Sequence, residues 1–175
     1  KIIGAHIADG TLNSSFIRIT DENQQAIYAF RSWMGEIFEL DLPKVEAVKG
    51  SNEWSLTFRS KSVSRYFTKF FDIPSGMKTY TADEPRIIKN ADLKFRKSFA
   101  LGVLTFDGGL CSKPSVALCV SSRKLRNSIA EILTLHDIEI TIQLKRTGKY
   151  WRFWSKDLNK ESASKWLDFF EQGTE

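Results

Sequence analysis

Apolar positions along the chain fall into short runs and alternating stretches that recur in the same order twice. The run IIGAHIADG (residues 2–10) closes on Asp9-Gly10, and ALGVLTFDG (100–108) closes on Asp107-Gly108; each predicts an apolar helix with a glycine inside it. After the first comes SSFIRIT, whose alternation predicts a strand with Ile17 and Ile19 inward; after the second comes SVALCVSS, also strand-like. Helical patterns follow in NQQAIYAFRSWMGEIF and SRKLRNSIAEILTLHD. Two strands and a turn come next, KVEAVKGSNEWSLTFRS around Gly50 and ITIQLKRTGKYWRFWS around Gly148. Each half then reads Ser-Lys, at Ser60-Lys61 and Ser155-Lys156, and ends in an aromatic-rich amphipathic helix, SVSRYFTKFFDI or ASKWLDFFEQ.

Landmarks in the two series keep a nearly constant offset, 98 residues for the acids, 100 for Ile17 and Ala117, and 95 for Ser-Lys. The pattern predicts an α+β fold made by pseudo-twofold duplication of an α-β-α-β-β-α half. The halves are residues 1–73 and 98–175. Between them, 74–97 is the irregular stretch, with Pro74 and Pro85, and reads as a linker.

The acids raise a physical question. Gly4 and Ala8 share a helix face, and small residues there let a second helix approach closely. Gly102 stands where Gly4 does, while Phe106 replaces Ala8 with a bulkier side chain. Gly10 and Gly108 are expected to stop their helices in the left-handed conformation. A helix C-terminus carries partial negative charge, so Asp9 and Asp107 sit at its unfavourable end. If the helices pack side by side, the carboxylates also repel. A divalent cation between them removes both costs, and Mg²⁺, which takes oxygen ligands and works with few carboxylates plus phosphate, is the leading candidate.

Composition narrows the partners. The hydrophobic fraction is 42% and the charged fraction 27%, ordinary for a globular protein. No apolar run approaches the ~20 residues of a membrane span. A net charge of +5 and a pI near 9.2 are compatible with a polyanion. Cys111 and Cys119 match no zinc spacing or disulfide framework, so an intracellular, reducing setting and a core role for the thiols are expected. His6 and His136 are too far apart in sequence to suggest a histidine metal site, and His6 is expected at the helix interface.

The paired runs resemble the LAGLIDADG motifs of the homing endonuclease family, in the single-chain form with two motifs. IIGAHIADG carries that family's glycine, small residue and terminal Ala-Asp-Gly; ALGVLTFDG keeps the glycine and the Asp-Gly. The resemblance implies that the motif helices meet at the centre through Gly4, Ala5 and Gly102. Two antiparallel sheets would form a saddle over double-stranded DNA. Asp9 and Asp107, with Ala8 and Phe106 before them, would hold divalent metal, and Lys61 and Lys156 would lie in the active-site surround. The activity implied is a metal-dependent staggered double-strand break by a monomer. The outward strand positions suit DNA contact: Arg18 and Thr20; Ser55, Thr57 and Arg59; Thr141, Gln143, Lys145 and Arg146; Tyr150, Arg152 and Trp154. Ser60 and Ser155 also look like helix N-caps, which would leave the lysines solvated. One departure stands out: Asp21-Glu22 and Ser121-Ser122 occupy the places where many relatives carry Gln-Lys, and the acids could oppose phosphate. A non-catalytic DNA-binding regulator and an intron RNA maturase are the competing expectations.

Overall fold

The structure, a computed structural model, describes residues 1–39, 42–76, 78–110, 116–144, 150–155 and 160–171, with the backbone alone at 110, 143, 144 and 160. In the first half α1 (Ile2–Asp9) runs straight into β1 (Gly10–Leu12), followed by β2 (Ile17–Asp21), α2 (Gln24–Phe38), β3 (Glu46–Ala47), β4 (Trp54–Phe58) and α3 (Lys61–Phe70). A one-turn helix, α4 (Arg86–Lys89), interrupts the linker. The second half repeats the order with α5 (Leu93–Asp107), β5 (Gly108–Leu110), β6 (Val116–Val120), α6 (Arg123–Leu135), β7 (Ile140–Leu144), β8 (Trp151–Ser155) and α7 (Lys160–Glu171). The second motif helix thus begins inside the stretch read as linker.

The strands make two four-stranded antiparallel sheets, ordered β1-β2-β4-β3 and β5-β6-β8-β7. Each half therefore carries one strand more than the periodicity predicts. The extra strands, β1 and β5, have three residues each, too few for alternation to show. The inner faces are apolar, and on β6 the inward set is Val116, Leu118 and Val120, so Val116 and not Ala117 is the counterpart of Ile17. Ile17, Ile19, Leu56 and Phe58 are buried with Ile27, Phe30 and Met34 of α2; Leu118, Val120 and Phe153 are buried with Ile129, Ile132 and Leu133 of α6. Phe106 reaches from α5 into the first half and meets Phe30 edge-on, with ring centroids 6.3 Å apart. Its bulk therefore joins the two cores.

Four local expectations are corrected. Gly10 and Gly108 are extended, at φ −85° and −89°, not left-handed. The N–H of each still donates to the carbonyl four residues back, His6 O and Leu104 O, while the chain already turns into a strand. A Cβ at Gly10 would lie 2.0 Å from His6 Nδ1 and 2.5 Å from His6 O, and one at Gly108 would lie 2.3 Å from Leu104 O. Glycine is required by close approach, so that the carboxylate can stand at the junction of helix and sheet. Ser155 does not cap a helix as Ser60 does. Ser60 Oγ accepts from Val63 N at 3.3 Å, whereas Ser155 ends β8 and its Oγ accepts from Val116 N at 3.0 Å. Cys119 is not in the core: it is half-buried on the polar face of β6, where Arg152 Nε donates to its Sγ at 3.2 Å. His6 turns towards α3, edge-on to Phe67 with centroids 5.3 Å apart. Cys111 lies outside the described residues.

Candidate metal and nucleic-acid site

The site is built on the contact between α1 and α5. A Cβ placed on Gly4 would fall 2.0 Å from Phe99 O and 2.9 Å from Val103 N. A Cβ on Gly102 would fall 2.0 Å from Lys1 O and 2.8 Å from Ala5 N. Adding the 98-residue offset to Lys1, Gly4 and Ala5 yields Phe99, Gly102 and Val103, so the two glycines meet the same backbone atoms of the opposite helix. The helices cross on a local dyad, at a separation only glycine permits. The same operation carries Asp9 to Asp107, at the end of each helix where the sheets begin.

Both carboxyls are strained electrostatically. Burial, then the charge of Asp21 and a hydrogen bond shared with it, push Asp9 up to about 6. Burial, then the charge of Asp9, push Asp107 up to about 7. One cation opposes these effects at both acids, Lys78. It lies in the linker, 8% exposed, and its Nζ donates to Gly10 O beside Asp9. Burial lowers Lys78 to about 8 against the upward pull of Asp9 and Asp107. Next to this cluster His6 is fully buried, both ring nitrogens lack a hydrogen-bond partner, and burial lowers it to about 3; it is neutral at physiological pH.

Two members of this cluster escape a reading by pattern. Lys78 sits in the aperiodic linker, where no spacing distinguishes it from its neighbours. The sequence marks Asp21 only as a departure that could oppose phosphate. As the last residue of β2, paired with Trp54, it instead approaches Asp9 and accepts from the N–H of Asn23. Among the described residues no three His, Cys, Asp or Glu side chains stand close enough to enclose a metal ion by themselves. The donor set nevertheless suits a hard divalent cation: two half-buried carboxylates, both resisting ionisation, with phosphate and water to fill the remaining positions. Ala8 and Phe106 precede the acids at dyad-related positions, Ala8 half-buried and Phe106 buried.

Lys61 is exposed at the first turn of α3. Lys156, Lys145 and Arg146 lie outside the described residues, as does the side chain of Gln143. On the first sheet, Arg18 pairs with Thr57 and its Nε donates to Thr57 Oγ1 at 3.0 Å. A groove of about 560 Å³ there is lined by Arg18, Lys44, Ser55, Thr57 and Arg59; Thr20, half-buried, pairs with Ser55. On the second sheet Thr141 and Tyr150 are exposed, while Arg152 and Trp154 are half-buried. The first sheet thus presents a polar surface with Arg18, Lys44 and Arg59 beside the acid Glu46, and the second a polar surface with Arg152 and the aromatics Tyr150 and Trp154.

Solved structures carry the same architecture. The chain aligns with the complex of I-DmoI with DNA and Mn at a TM-score of 0.65 and 14% identity, covering 99% of this chain and 94% of that one. It aligns with mesophilic variants of the homing endonuclease I-DmoI at a TM-score of 0.69 and 14% identity, covering 97% and 93%. The fold is that of the LAGLIDADG proteins. The N-terminal LAGLIDADG domain of DUF199/WhiA matches with a TM-score of 0.62 and 12% identity over 99% of this chain and 80% of that one. Full-length DUF199/WhiA from Thermatoga maritima aligns at 0.65 and 13%, with 55% of its chain covered. No family model and no curated protein sequence matches the chain. At these identities the likeness establishes the LAGLIDADG fold and leaves the chemistry to the chain's own residues.

The raised acids set a sign for stability. Each binds its proton more tightly folded than unfolded, where aspartate titrates near ~4. Their stabilising contribution is present below that value and is lost as pH rises through about 6 for Asp9 and about 7 for Asp107. His6, lowered to about 3, acts in the opposite sense, its contribution being lost as pH falls. Comparing Tm with and without Mg²⁺ at each pH isolates the acids. Mg²⁺ should raise Tm by several degrees near pH ~8 and by much less near pH ~5, where protons compete. Equal shifts at both values would mean that the ion binds elsewhere.

Proposed function

We propose that the chain is a site-specific DNA endonuclease that hydrolyses one phosphodiester in each strand with the help of divalent metal, Mg²⁺ first. The observation that carries this reading is the dyad-related pair of half-buried carboxylates, each held above the usual aspartate range by desolvation and neighbouring charge, with one lysine acting on both. A pure binding module gains nothing from such crowding. Support for the DNA partner comes from solved structures of the same fold: I-DmoI in complex with DNA and Mn or Ca, and a singly substituted I-DmoI in complex with its target DNA in the presence of Mg.

Bound metal would supply Lewis acidity and lower the pKa of a coordinated water. Asp9 and Asp107 would hold it, one acid for each strand, with Ala8 and Phe106 flanking the ligands. The Lys78 ammonium, kept charged by the two acids, would stabilise negative charge on the phosphate between them. Arg18, Thr57 and Arg59 in one half, and Thr141, Tyr150, Arg152 and Trp154 in the other, would bind phosphates and base edges and so set the register of the two cuts. Lys61 stays in the proposal as a solvated phosphate contact at the rim.

The test is incubation with a DNA library with Mg²⁺ and with chelator. Metal-dependent double-strand cleavage is expected. Binding with no cleavage under any metal would sink the nuclease reading and favour the second one, a non-catalytic DNA-binding protein of the same fold. The observation on that side is Asp21, whose charge adds to that of Asp9 where phosphate would approach. No feature of the site favours an intron RNA maturase over these two.

A further inference from the structure

The linker is tied to the second half by an unbroken polar path that ends at Lys78. Glu84, 4% exposed, receives both Nε and Nη2 of Arg96 at 2.9 Å, and Arg96, 7% exposed, also donates through Nη1 to Glu131 at 3.2 Å. One residue earlier, Asp83 Oδ1 accepts from Ser128 Oγ at 3.1 Å and from the Glu84 N–H at 2.8 Å. One residue earlier again, Ala82 O accepts from Ser122 Oγ, the N-cap of α6. Ala82 N and Thr81 N then donate to Lys78 O at 2.8 and 3.0 Å, closing the turn that carries the lysine. From there Lys78 Nζ crosses to Gly10 O in the first half.

This concentration of buried polar groups is poorly explained as stability. A buried ion pair contributes little net stability over apolar residues of the same volume, although breaking one partner is costly. It does fix geometry, because a bidentate arginine–carboxylate fork admits one orientation. All three attachment points fall within Ala82–Glu84, directly after the turn that presents the lysine. We propose that the Glu84–Arg96–Glu131 cluster, together with Ser122 and Ser128, is a positioning clamp that docks the linker on α5 and α6 and thereby holds the Lys78 ammonium at the paired acids. These residues touch neither DNA nor metal; they act through Lys78. The consequence for the reaction rests on the endonuclease reading, whereas the consequence for the position of Lys78 does not.

The test uses the full chain carrying Glu84→Gln or Ser128→Ala, each alone and with Lys78→Met. Without DNA, amine acetylation read by mass spectrometry follows Lys78, with exposed Lys61 and buried Lys97 as internal controls. Lys97 is 6% exposed and its Nζ donates to Asp168 O at 3.3 Å. Loosening the clamp should speed acetylation of Lys78 at least ~5-fold while Lys97 stays protected, as expected of local opening rather than unfolding. Ser128→Thr, which keeps the hydroxyl, should restore protection. Ser128→Ala, the milder change, decides the matter if Glu84→Gln exposes Lys97 as well. In single-turnover cleavage the clamp variants should lose roughly 10- to 100-fold in rate with DNA affinity unchanged. They should lose nothing further in the Lys78→Met background, since residues acting through one group are non-additive. Unchanged acetylation of Lys78 in both variants, or losses that add to that of Lys78→Met, overturns the clamp. If the unsubstituted chain cuts no DNA, the labelling still decides the clamp and only the nuclease reading falls.

Discussion

Asp107→Asn should abolish double-strand cleavage, by at least ~10³-fold in rate, while making the metal-free protein more stable. The two effects have opposite signs for one reason. Burial and the charge of Asp9 hold the Asp107 carboxyl up to about 7, so its ionisation at neutral pH works against the fold. Asparagine has the same shape and no charge, and removing the charge relieves Asp9 as well. Each pKa unit corresponds to ~1.4 kcal/mol, and after solvent screening a gain of about 2 kcal/mol is expected near pH ~8. In a chain of this size that is a rise in Tm of ~4–8 °C. The gain should vanish near pH ~5, where the native aspartate is already protonated. Asp9→Asn should behave in the same way, with at most nicking of one strand left in either variant. Thermal unfolding with chelator, beside plasmid cleavage with Mg²⁺, checks both halves of the expectation. A variant that loses activity and stability together would mean that the acids serve packing rather than chemistry.

Gly102→Val should be the most damaging single substitution to the fold. Even the Cβ alone would overlap Lys1 O at 2.0 Å and Ala5 N at 2.8 Å, and backbone atoms inside a helix cannot step aside. Replacing a helical glycine by alanine gains ~1 kcal/mol of helix propensity. Forcing α1 and α5 apart loses packing along their whole contact, typically several times that amount. The balance predicts soluble protein only in low yield, with Tm lowered by more than ~10 °C, and a smaller loss of the same sign for Gly102→Ala or Gly4→Ala. Gly35 in α2 is the control. A Cβ there would meet the Leu42 side chain at 2.9 Å, a flexible neighbour, so Gly35→Ala should be close to neutral. Thermal denaturation of the three alanine variants measures the ranking, and equal tolerance at Gly35 and Gly102 would contradict the close helix crossing.

Much of this architecture is legible before any coordinate is seen, because it rests on periodicity. Alternation places Ile17 and Ile19 inward, and both are buried. The resemblance to the LAGLIDADG motifs, rather than periodicity, places the two motif helices at a common centre. What pattern missed lies where pattern is absent. Three-residue strands carry no period, so β1 and β5 were invisible, and with them the reason for glycine after each acid. The left-handed stop assumed for Gly10 and Gly108 follows the commonest helix ending. Here the chain passes into a strand against its own helix, and it is crowding by His6 and Leu104, not backbone handedness, that excludes a side chain. Ser155 illustrates the same limit. Its repeat position suggested a cap, but its hydroxyl went to Val116 on the neighbouring strand.

By itself the amino-acid order determined the duplicated halves, the polar faces of the sheets and the identity of the two motif acids, since each of these is a local pattern or a recurrence of one. The tertiary structure alone decided that Lys78 and Asp21 join those acids and that the linker is anchored through Glu84 and Arg96. Charges act through space, and what brought Lys78 beside Gly10 is a set of contacts between segments that no spacing along the chain encodes.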